Sequence, residues 1–299
     1  MSLFALTFVL AAAAPLIALI PARRGSTFMV WLLLTGACAS IAYVAVQALT
    51  GSGDHVLALL SLPLIGHFGL TLTPLSGLFL LVTAGVFAAA LPFLARDSAA
   101  WPPARRSLFI GLVALTLMAM IALFTADDII AFIFSWEIAA LAIWALIGFE
   151  TRRREPVAAG LLTLALSEVG SLAGLAGLLI LASAAGTPQL AGIAAAAASL
   201  PAGLVTAACI LTFFGFGMKA GIVPLNLWLP AAHGTAPRSI SPILSGATLN
   251  LGLYAFLRLD APLARTDSRL GLMILAVGAT TALVGIVYAL VERDLKRLL

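Results

Sequence analysis

The chain has 299 residues, of which 63% are hydrophobic and only 9% are charged, and its mean hydropathy is +1.16. Soluble globular proteins carry about 25% charged residues, so this composition excludes that class and predicts an all-α polytopic membrane protein. The isoelectric point of about 9.6 does not require a nucleic acid partner, because arginines at the ends of membrane helices account for it.

Apolar windows long enough to cross a bilayer as a helix, about 20 residues each, recur along the chain. We predict about nine such helices in a single membrane domain, with a break in the seventh. The predicted spans are 3–21, 27–49, 74–95, 107–125, 129–149, 156–184, 203–232, 239–259 and 270–291. The first run has no basic segment before it, so we interpret it as a membrane helix and not as a signal peptide. The alanine-rich segment 186–202 is a candidate for a short interfacial helix.

Basic residues predict the orientation of these helices. If the N-terminus is outside, 12 of the 16 Lys and Arg residues fall in inner segments, where positive charge is favoured. The inner group is Arg23, Arg24, Arg96, Arg105, Arg106, Arg152, Arg153, Arg154, Arg238, Arg293, Lys296 and Arg297. The outer group is Arg258, Arg265 and Arg269, and Lys219 remains within the membrane. We therefore expect an integral protein of a bacterial inner (cytoplasmic) membrane with its N-terminus outside.

Lys219 is the most informative residue of the sequence because it interrupts an apolar stretch. A lysine at the centre of a bilayer costs about 2.5–3.5 kcal/mol on insertion scales, and intramembrane charges are functional by default. The residues around it favour a helix break: Gly215, Gly217, Gly221, Pro224 and Pro230. Broken helices that carry a buried charge are typical of ion pathways.

Four other polar residues in or beside predicted spans are candidates for a proton relay with Lys219. They are Glu137, Glu168, His233 and Asn250. Buried carboxylates and amines suit a relay because burial disfavours their charged forms, while an opposite charge nearby favours them. A carboxylate that moves away from a lysine therefore releases its proton, and Glu137 with Lys219 is the predicted pair.

Each candidate also has a structural interpretation. Glu137 and Lys219 could form a static buried ion pair that fixes helix register, and Glu168 could anchor two helices by a hydrogen bond. Asn250 is typical of the amide residues that hold membrane helices together, and His233 could cap a helix. The glycine-rich segment 170–177 favours close helix packing.

Three residues of the eighth predicted helix, Gly246, Asn250 and Tyr254, share one helical face because they recur at four-residue steps. Asp127 and Asp128 lie at an outer helix end, where they are either solvated or cap the next helix.

Several motifs together resemble one family. They are SWE followed by an apolar helix, then GFGMKAGIVPLNLWLPAAHGTAP, SPILSGATLNLGLYAFLRL and the terminal VGIVYALVERDLKRLL. The chain resembles the antiporter-like membrane subunits of respiratory complex I, Mrp-type cation/proton antiporters, and the membrane arms of energy-converting hydrogenases and formate hydrogenlyase. The resemblance covers roughly residues 105–299, and the first three helices match it only in hydropathy.

The resemblance implies a proton-translocating subunit made of two inverted five-helix repeats. The glutamate of the family's fifth helix corresponds to Glu137, the lysine of its broken seventh helix to Lys219, and the histidine after the WLP motif to His233. We accordingly expect residues 1–104 to hold N-terminal helices, 105–260 to form one five-helix repeat, and 261–299 to hold the first helix of an incomplete second repeat.

The chain departs from the family pattern at several positions. Asn250 stands where the eighth helix usually carries a lysine or histidine, and Ala231 stands where an acidic residue is common. Glu168 stands where hydrogenase-type relatives often have histidine, so a carboxylate could replace part of the relay. Family members continue for several helices beyond the last segment, so we expect a second polypeptide to supply the missing half, or this subunit to be unable to translocate alone.

Three functions remain open at this stage. The first is a proton-translocating subunit of a redox-driven complex, either NADH:quinone oxidoreductase-like or hydrogenase-like. The second is a component of an Mrp-like cation/proton antiporter, and the third is a structural subunit that has lost complete translocation. The sequence has no cysteine cluster, paired haem histidines or phosphate loop, so we expect no cofactor, no metal and no redox centre of its own. The expected partners are other membrane subunits, including another antiporter-like one, and the lipid bilayer.

Overall fold

Helices make up most of the part of the chain that the computed structural model describes, which is residues 3–18, 24–51, 55–62, 66–149 and 154–294. We number the helices in chain order. They are α1 (Leu3–Ala18), α2 (Arg24–Leu49), α3 (Pro74–Ala99), α4 (Pro103–Thr125), α5 (Ile129–Ile147), α6 (Arg154–Ala185), α7 (Leu190–Ala196), α8 (Ala202–Ala220), α9 (Trp228–Thr235), α10 (residues 241–264) and α11 (Ser268–Val291). The all-α polytopic prediction is confirmed.

Seven segments within these ranges are long and apolar enough to cross a membrane. They are Phe28–Leu49, Pro74–Ala99, Pro103–Thr125, Ile129–Ile147, Val157–Ala185, Ala202–Thr235 and Ser268–Val291. The first predicted span is present as the shorter helix α1, and residues 19–21 of that prediction lie outside the described residues. The eighth is present as α10, whose α-helical turns alternate with two π-helical turns at Leu244–Thr248 and Phe256–Asp260.

A β-hairpin lies between α2 and α3, which the sequence did not predict. Strand β1 (His55–Leu62) pairs antiparallel with strand β2 (Gly66–Leu72). The hairpin is joined to the turn between α4 and α5, because Asp127 donates its backbone N–H to the Gly69 carbonyl and Gly69 donates its own to Asp128 Oδ2, at 3.1 and 3.2 Å.

The turn between α4 and α5 also settles the role of Asp128. Its Oδ1 accepts a hydrogen bond of 2.8 Å from the backbone of Ala131, so it caps α5, and it is buried. The short helix α7 begins against the same turn, since the Leu190 N–H donates to the Asp127 carbonyl at 2.9 Å. A short helix within segment 186–202 was predicted and is present.

The predicted break in the seventh span separates α8 from α9. Helix α8 ends at Ala220, and Gly221 takes a left-handed conformation with φ of 73°, which glycine adopts without the steric penalty of a Cβ. The indole N–H of Trp228 donates to the Met218 carbonyl at 3.0 Å, so a carbonyl freed by the break is satisfied. Val223 donates its N–H to Thr281 Oγ1 of α11 at 3.1 Å.

Glycines set the distance between α6 and α8, as the sequence predicted for segment 170–177. A Cβ at Gly177 would meet the Ala208 carbonyl oxygen at 2.8 Å, and one at Gly215 would meet the backbone nitrogen of Gly174 at 2.5 Å. The two helix backbones are therefore in direct contact, which is the usual way that small residues pack membrane helices.

Replacing Gly215 by alanine is expected to destabilise this contact. The new Cβ would lie 2.6 Å from the Gly170 carbonyl oxygen and 2.5 Å from the Gly174 nitrogen, and overpacking typically costs about 1–3 kcal/mol. Thermal unfolding in detergent, with co-purifying subunits retained, should give a lower Tm. Gly203→Ala on the same helix is the control, because no atom lies within 4 Å of its added Cβ. Equal Tm values for the two variants would contradict the prediction.

Candidate functional site

Lys219 lies in the last turn of α8, directly before the break, and only 4% of its surface is exposed. Its Nζ donates a hydrogen bond of 3.3 Å to the carbonyl oxygen of Trp136 in α5. The same Nζ lies 4.2 Å from the centroid of the Trp136 ring, which is a cation–π contact. The ammonium is therefore held by one carbonyl and one aromatic face, both belonging to a single residue of the neighbouring helix.

Trp136 is itself fixed by three helices. Its indole N–H donates to Ser171 Oγ of α6 at 3.0 Å, and its ring centroid lies 4.8 Å from that of Phe216 in α8 and 5.9 Å from that of Phe132 in α5. The ring is fully buried. A lysine, a tryptophan and a serine on three helices thus form one connected unit.

Two half-buried carboxyl groups complete the charges around Lys219. Glu168 of α6 and Glu137 of α5 interact through their charges. Both carboxyl groups interact electrostatically with Lys219. The sequence predicted Glu137 as the partner of Lys219, and the structure adds Glu168 to the same cluster.

The static ion pair considered from the sequence is not formed as a direct contact. Among the described residues, Lys219 makes its direct contacts with Trp136, and the two glutamates act on it through their charges. A lysine that is close to two acids but hydrogen-bonded to a backbone carbonyl can gain or lose a proton without breaking a contact ion pair.

His233 and Asn250 are placed elsewhere. His233 is in the last turn of α9, beyond the break, and is 1% exposed. Asn250 Nδ2 donates to the Gly246 carbonyl of its own helix at 2.8 Å, which satisfies a donor locally.

The face that Asn250 shares with Gly246 and Tyr254 packs towards α3 and α4. A Cβ at Gly246 would meet the Val86 side chain of α3 at 2.8 Å, and the Tyr254 hydroxyl donates to the Phe124 carbonyl of α4 at 2.7 Å. The part of α10 that touches α8 is a different face, where Gly252 abuts Ala220. The structure therefore groups Glu137, Glu168 and Lys219, and leaves Asn250 on another side of its helix.

Asp260 is a buried acid that the sequence analysis missed. It lies at the end of the second π-helical turn of α10, is 0% exposed, and contacts Thr212 and Cys209 of α8 at 2.5 and 3.8 Å. It falls one residue beyond the predicted span 239–259, where an acid is ordinarily solvated. The signal that could have found it is the polar pair Cys209 and Thr212 in the middle of a largely apolar helix.

An apolar cleft of about 390 Å³ lies away from this cluster, between α4, α5 and α6, with Arg105, Trp144 and Phe149 among its lining residues. It contains none of the five predicted relay residues. In the part of the chain that the structure describes, no three His, Cys, Asp or Glu side chains come together as metal ligands would.

Comparison with known proteins identifies the family. The profile of the family described as "NADH:quinone oxidoreductase/Mrp antiporter, TM" matches residues 126–299. The chain belongs to this family. The matched region contains Glu137, Glu168, Lys219, His233 and Asn250.

Curated relatives agree with this assignment. The chain is 36% identical over 184 residues to hydrogenase-4 component B of Escherichia coli (strain K12), covering 60% of this chain and 27% of the relative. It is 32% identical over 238 residues to NADH-quinone oxidoreductase subunit L of Mycobacterium tuberculosis, covering 78% of this chain and 36% of the relative. An uncharacterized protein of Mycobacterium tuberculosis is 40% identical over 190 residues, which are 63% of this chain and 29% of the relative.

Solved structures share the fold over 99% of this chain. One is a chain of the membrane-bound sulfane sulfur reductase, an archaeal respiratory membrane complex, with a TM-score of 0.81, 24% identity and 60% of that chain covered. Another is a chain of the Mrp complex from Dietzia sp. DQ12-45-1b, also with a TM-score of 0.81 and 24% identity, and with 32% of that chain covered. Matches to the curated relatives above span 27–36% of the relatives' length.

The contact between Lys219 and Trp136 should be measurable as a coupling energy. In a double-mutant cycle of Lys219→Met and Trp136→Leu, we expect a coupling of about 2 kcal/mol, the size of a desolvated cation–π contact. The measurement is denaturation of the purified protein in detergent, with co-purifying subunits retained. Trp144→Leu replaces Trp136→Leu in the control cycle, since Trp144 lies two turns further along α5. A control coupling as large as that of the Trp136 cycle would refute the contact.

Proposed function

We propose that this chain is a proton-translocating, antiporter-like membrane subunit of a redox-driven respiratory or hydrogenase-type complex. The observation that carries the proposal is the buried lysine at a helix break with two carboxyl groups close enough to act on its charge. An intramembrane ionisable residue that faces the interior of a helix bundle is typical of proton pathways.

The relay operates through proton exchange within the cluster of Glu137, Glu168 and Lys219. When a carboxylate approaches Lys219, the ammonium is stabilised and keeps its proton; when the negative charge moves away or is protonated, the lysine releases it. Trp136 holds the Nζ in place in either state, because its carbonyl accepts from the ammonium and from the neutral amine. His233, beyond the break, and Asn250 remain proposed members of the pathway, Asn250 through its amide and water rather than by titration.

The proposed ion is the proton and not sodium. Lysine can carry a proton but cannot ligate a cation, whereas sodium requires a set of oxygen ligands. Ser171, one turn from Glu168 on α6, has a hydroxyl oxygen of this kind, but this oxygen accepts the indole N–H of Trp136. The hydroxyl is thus already engaged in positioning the tryptophan.

The proposed partners are other membrane subunits, including a second antiporter-like one, together with the lipid bilayer. Supporting this, α11 presents a largely apolar and exposed surface, and the solved chains with this fold come from multi-subunit membrane complexes. The redox chemistry would then belong to other subunits. We further propose that the protein resides in a bacterial inner membrane with its N-terminus outside, and that residues 105–260 form the first five-helix repeat.

Replacing Lys219 by alanine is expected to abolish proton translocation while the complex still assembles, because the group that carries the proton is lost. Glu137→Gln should lower translocation in the same direction. The measurement is proton uptake by membrane vesicles that contain the native complex, with assembly followed by co-purification. Arg265→Ala, which removes an exposed positive charge, is the control. Unchanged uptake in an assembled Lys219→Ala complex would disprove the relay.

The proteins that co-purify with the chain would identify the parent complex. Hydrogenase or dehydrogenase subunits support the proposed function, whereas cation-antiporter subunits support the Mrp-like alternative.

A structural subunit that has lost translocation is the second candidate, and the position of Asn250 favours it. Its amide is bonded within its own helix, and asparagine does not titrate. On this candidate, Asn250→Lys should create or increase proton uptake, because a titratable group would then occupy the eighth-helix position of the family. Asn250→Gln is the matched neutral control. No gain from the lysine variant, with normal uptake by the wild type, would eliminate this candidate.

A further inference from the structure

Asp260 has the surroundings of a neutral acid inside the protein. Its side chain is completely buried, and its Oδ2 has no hydrogen-bond partner among the described residues. An ionised carboxylate with an unsatisfied oxygen in an apolar interior is strongly disfavoured, and such groups hold a proton instead.

The contacts of the other carboxyl oxygen agree with this state. Thr212 Oγ1 lies 2.5 Å from Asp260 Oδ1 and 3.0 Å from the Ala208 carbonyl oxygen. A hydroxyl group has one proton to donate. The Thr212 hydroxyl proton is shared between Asp260 Oδ1 and the Ala208 carbonyl, so Asp260 does not receive from it an undivided hydrogen bond that would stabilise a carboxylate.

The elements around Asp260 supply no opposite charge. Helix α8 contributes the Cys209 thiol and the Thr212 hydroxyl, α7 (Leu190–Ala196) has no titratable residue, and the final turn Ala261–Ala264 of α10 has none either. Arg258, two residues before Asp260 on the same helix, is the nearest basic residue in the sequence, and its Nε has no hydrogen-bond partner among the described residues. Among the described residues, Asp260 is therefore not held in an ion pair.

Lys219 lies on the same face of α8 as Thr212, the residue that contacts Asp260. Thr212 and Lys219 are seven residues apart, which is about two helical turns or roughly 10 Å along the axis, so they point the same way. Phe216 lies between them on that face, fully buried with its ring against Trp136. The helix thus carries a lysine at its broken end and a contact with an acid at its middle, separated by one aromatic ring.

We propose that Asp260, with Thr212 and Cys209, is a second proton-holding site of the same pathway, on the side of Lys219 opposite to the helix break and His233. This inference rests on the proposed function. Asp260 first gives its proton to water on the side of the membrane towards the start of α8, which leaves a carboxylate. The proton of Lys219 then reaches this carboxylate through water, so that an N–H bond breaks at Lys219 and an O–H bond forms at Asp260. The reverse sequence serves transport in the other direction.

The test is Asp260→Asn in the native complex. Asparagine keeps the size of the side chain and an oxygen that accepts from Thr212, but it cannot hold and release a proton. We expect proton uptake by vesicles to fall at least about tenfold, since positioned proton-transfer groups contribute about 10²–10⁴-fold, with assembly unchanged. Asp267→Asn is the matched control, because Asp267 is a helix cap and asparagine caps equally well. Full uptake by an assembled Asp260→Asn complex overturns the proposal.

Two further measurements separate this site from the proposed function. If Lys219→Ala abolishes proton uptake and Asp260→Asn does not, the proposed second site is wrong and the proposed relay is supported. If neither variant changes uptake, both proposals are wrong. Infrared spectroscopy decides the matter even where Asp260→Asn fails to assemble. The wild-type complex should show a protonated-carboxyl band at neutral pH that Asp260→Glu shifts, and the absence of such a band refutes the proposal.

Discussion

The close contact of α6 with α8 positions everything else in the charged cluster. Glycines on both helices remove the side chains that would hold them apart, and membrane helices associate mainly through such packing because water does not drive them together. Glu168 and Ser171 are on the part of α6 that is brought against α8, so the same contact delivers one carboxyl group to Lys219 and one hydroxyl to Trp136. A larger side chain in place of these glycines would push α6 and α8 apart. It would thereby separate the charged groups that α5, α6 and α8 bring together.

Helix α8 carries or contacts two buried ionisable groups of this protein, Lys219 and Asp260. At one end of α8 the lysine precedes a break at which the Met218 carbonyl accepts from Trp228, and at the middle of the helix Thr212 meets the buried Asp260. Irregular backbone at membrane depth is tolerated only where its polar groups are bonded or lie in a cavity. Because the Met218 carbonyl and the Val223 N–H at the break are bonded, Lys219 is held in a defined position rather than in a frayed helix end.

Much of this arrangement was predictable from the sequence, for physical reasons that differ between residues. Lys219 and the break were evident because a charge and several glycines and prolines interrupt an apolar run. Glu137 followed from its charge, but its contact with Glu168 depends on the crossing of α5 and α6, which no local pattern encodes. Asp260 was missed because it lies at a predicted helix end, where burial is decided by α7 and α8 and not by the sequence around it. The hairpin was missed because its apolar strands lie between two strongly predicted helices.

The hydrogen bond from Val223 to Thr281 gives the break a mechanical connection. Helix α11 has few neighbours among the described residues, with 6% of its most apolar window buried. It nevertheless bonds the backbone at Val223, four residues beyond Lys219. A sideways displacement of α11 must either rupture this bond or drag the loop along with it. The loop begins at Gly221, directly after the turn that carries the lysine. A displacement of the loop would therefore also move the ammonium group. A movement of α11 would in this way be transmitted to Lys219, the charge buried at the helix break.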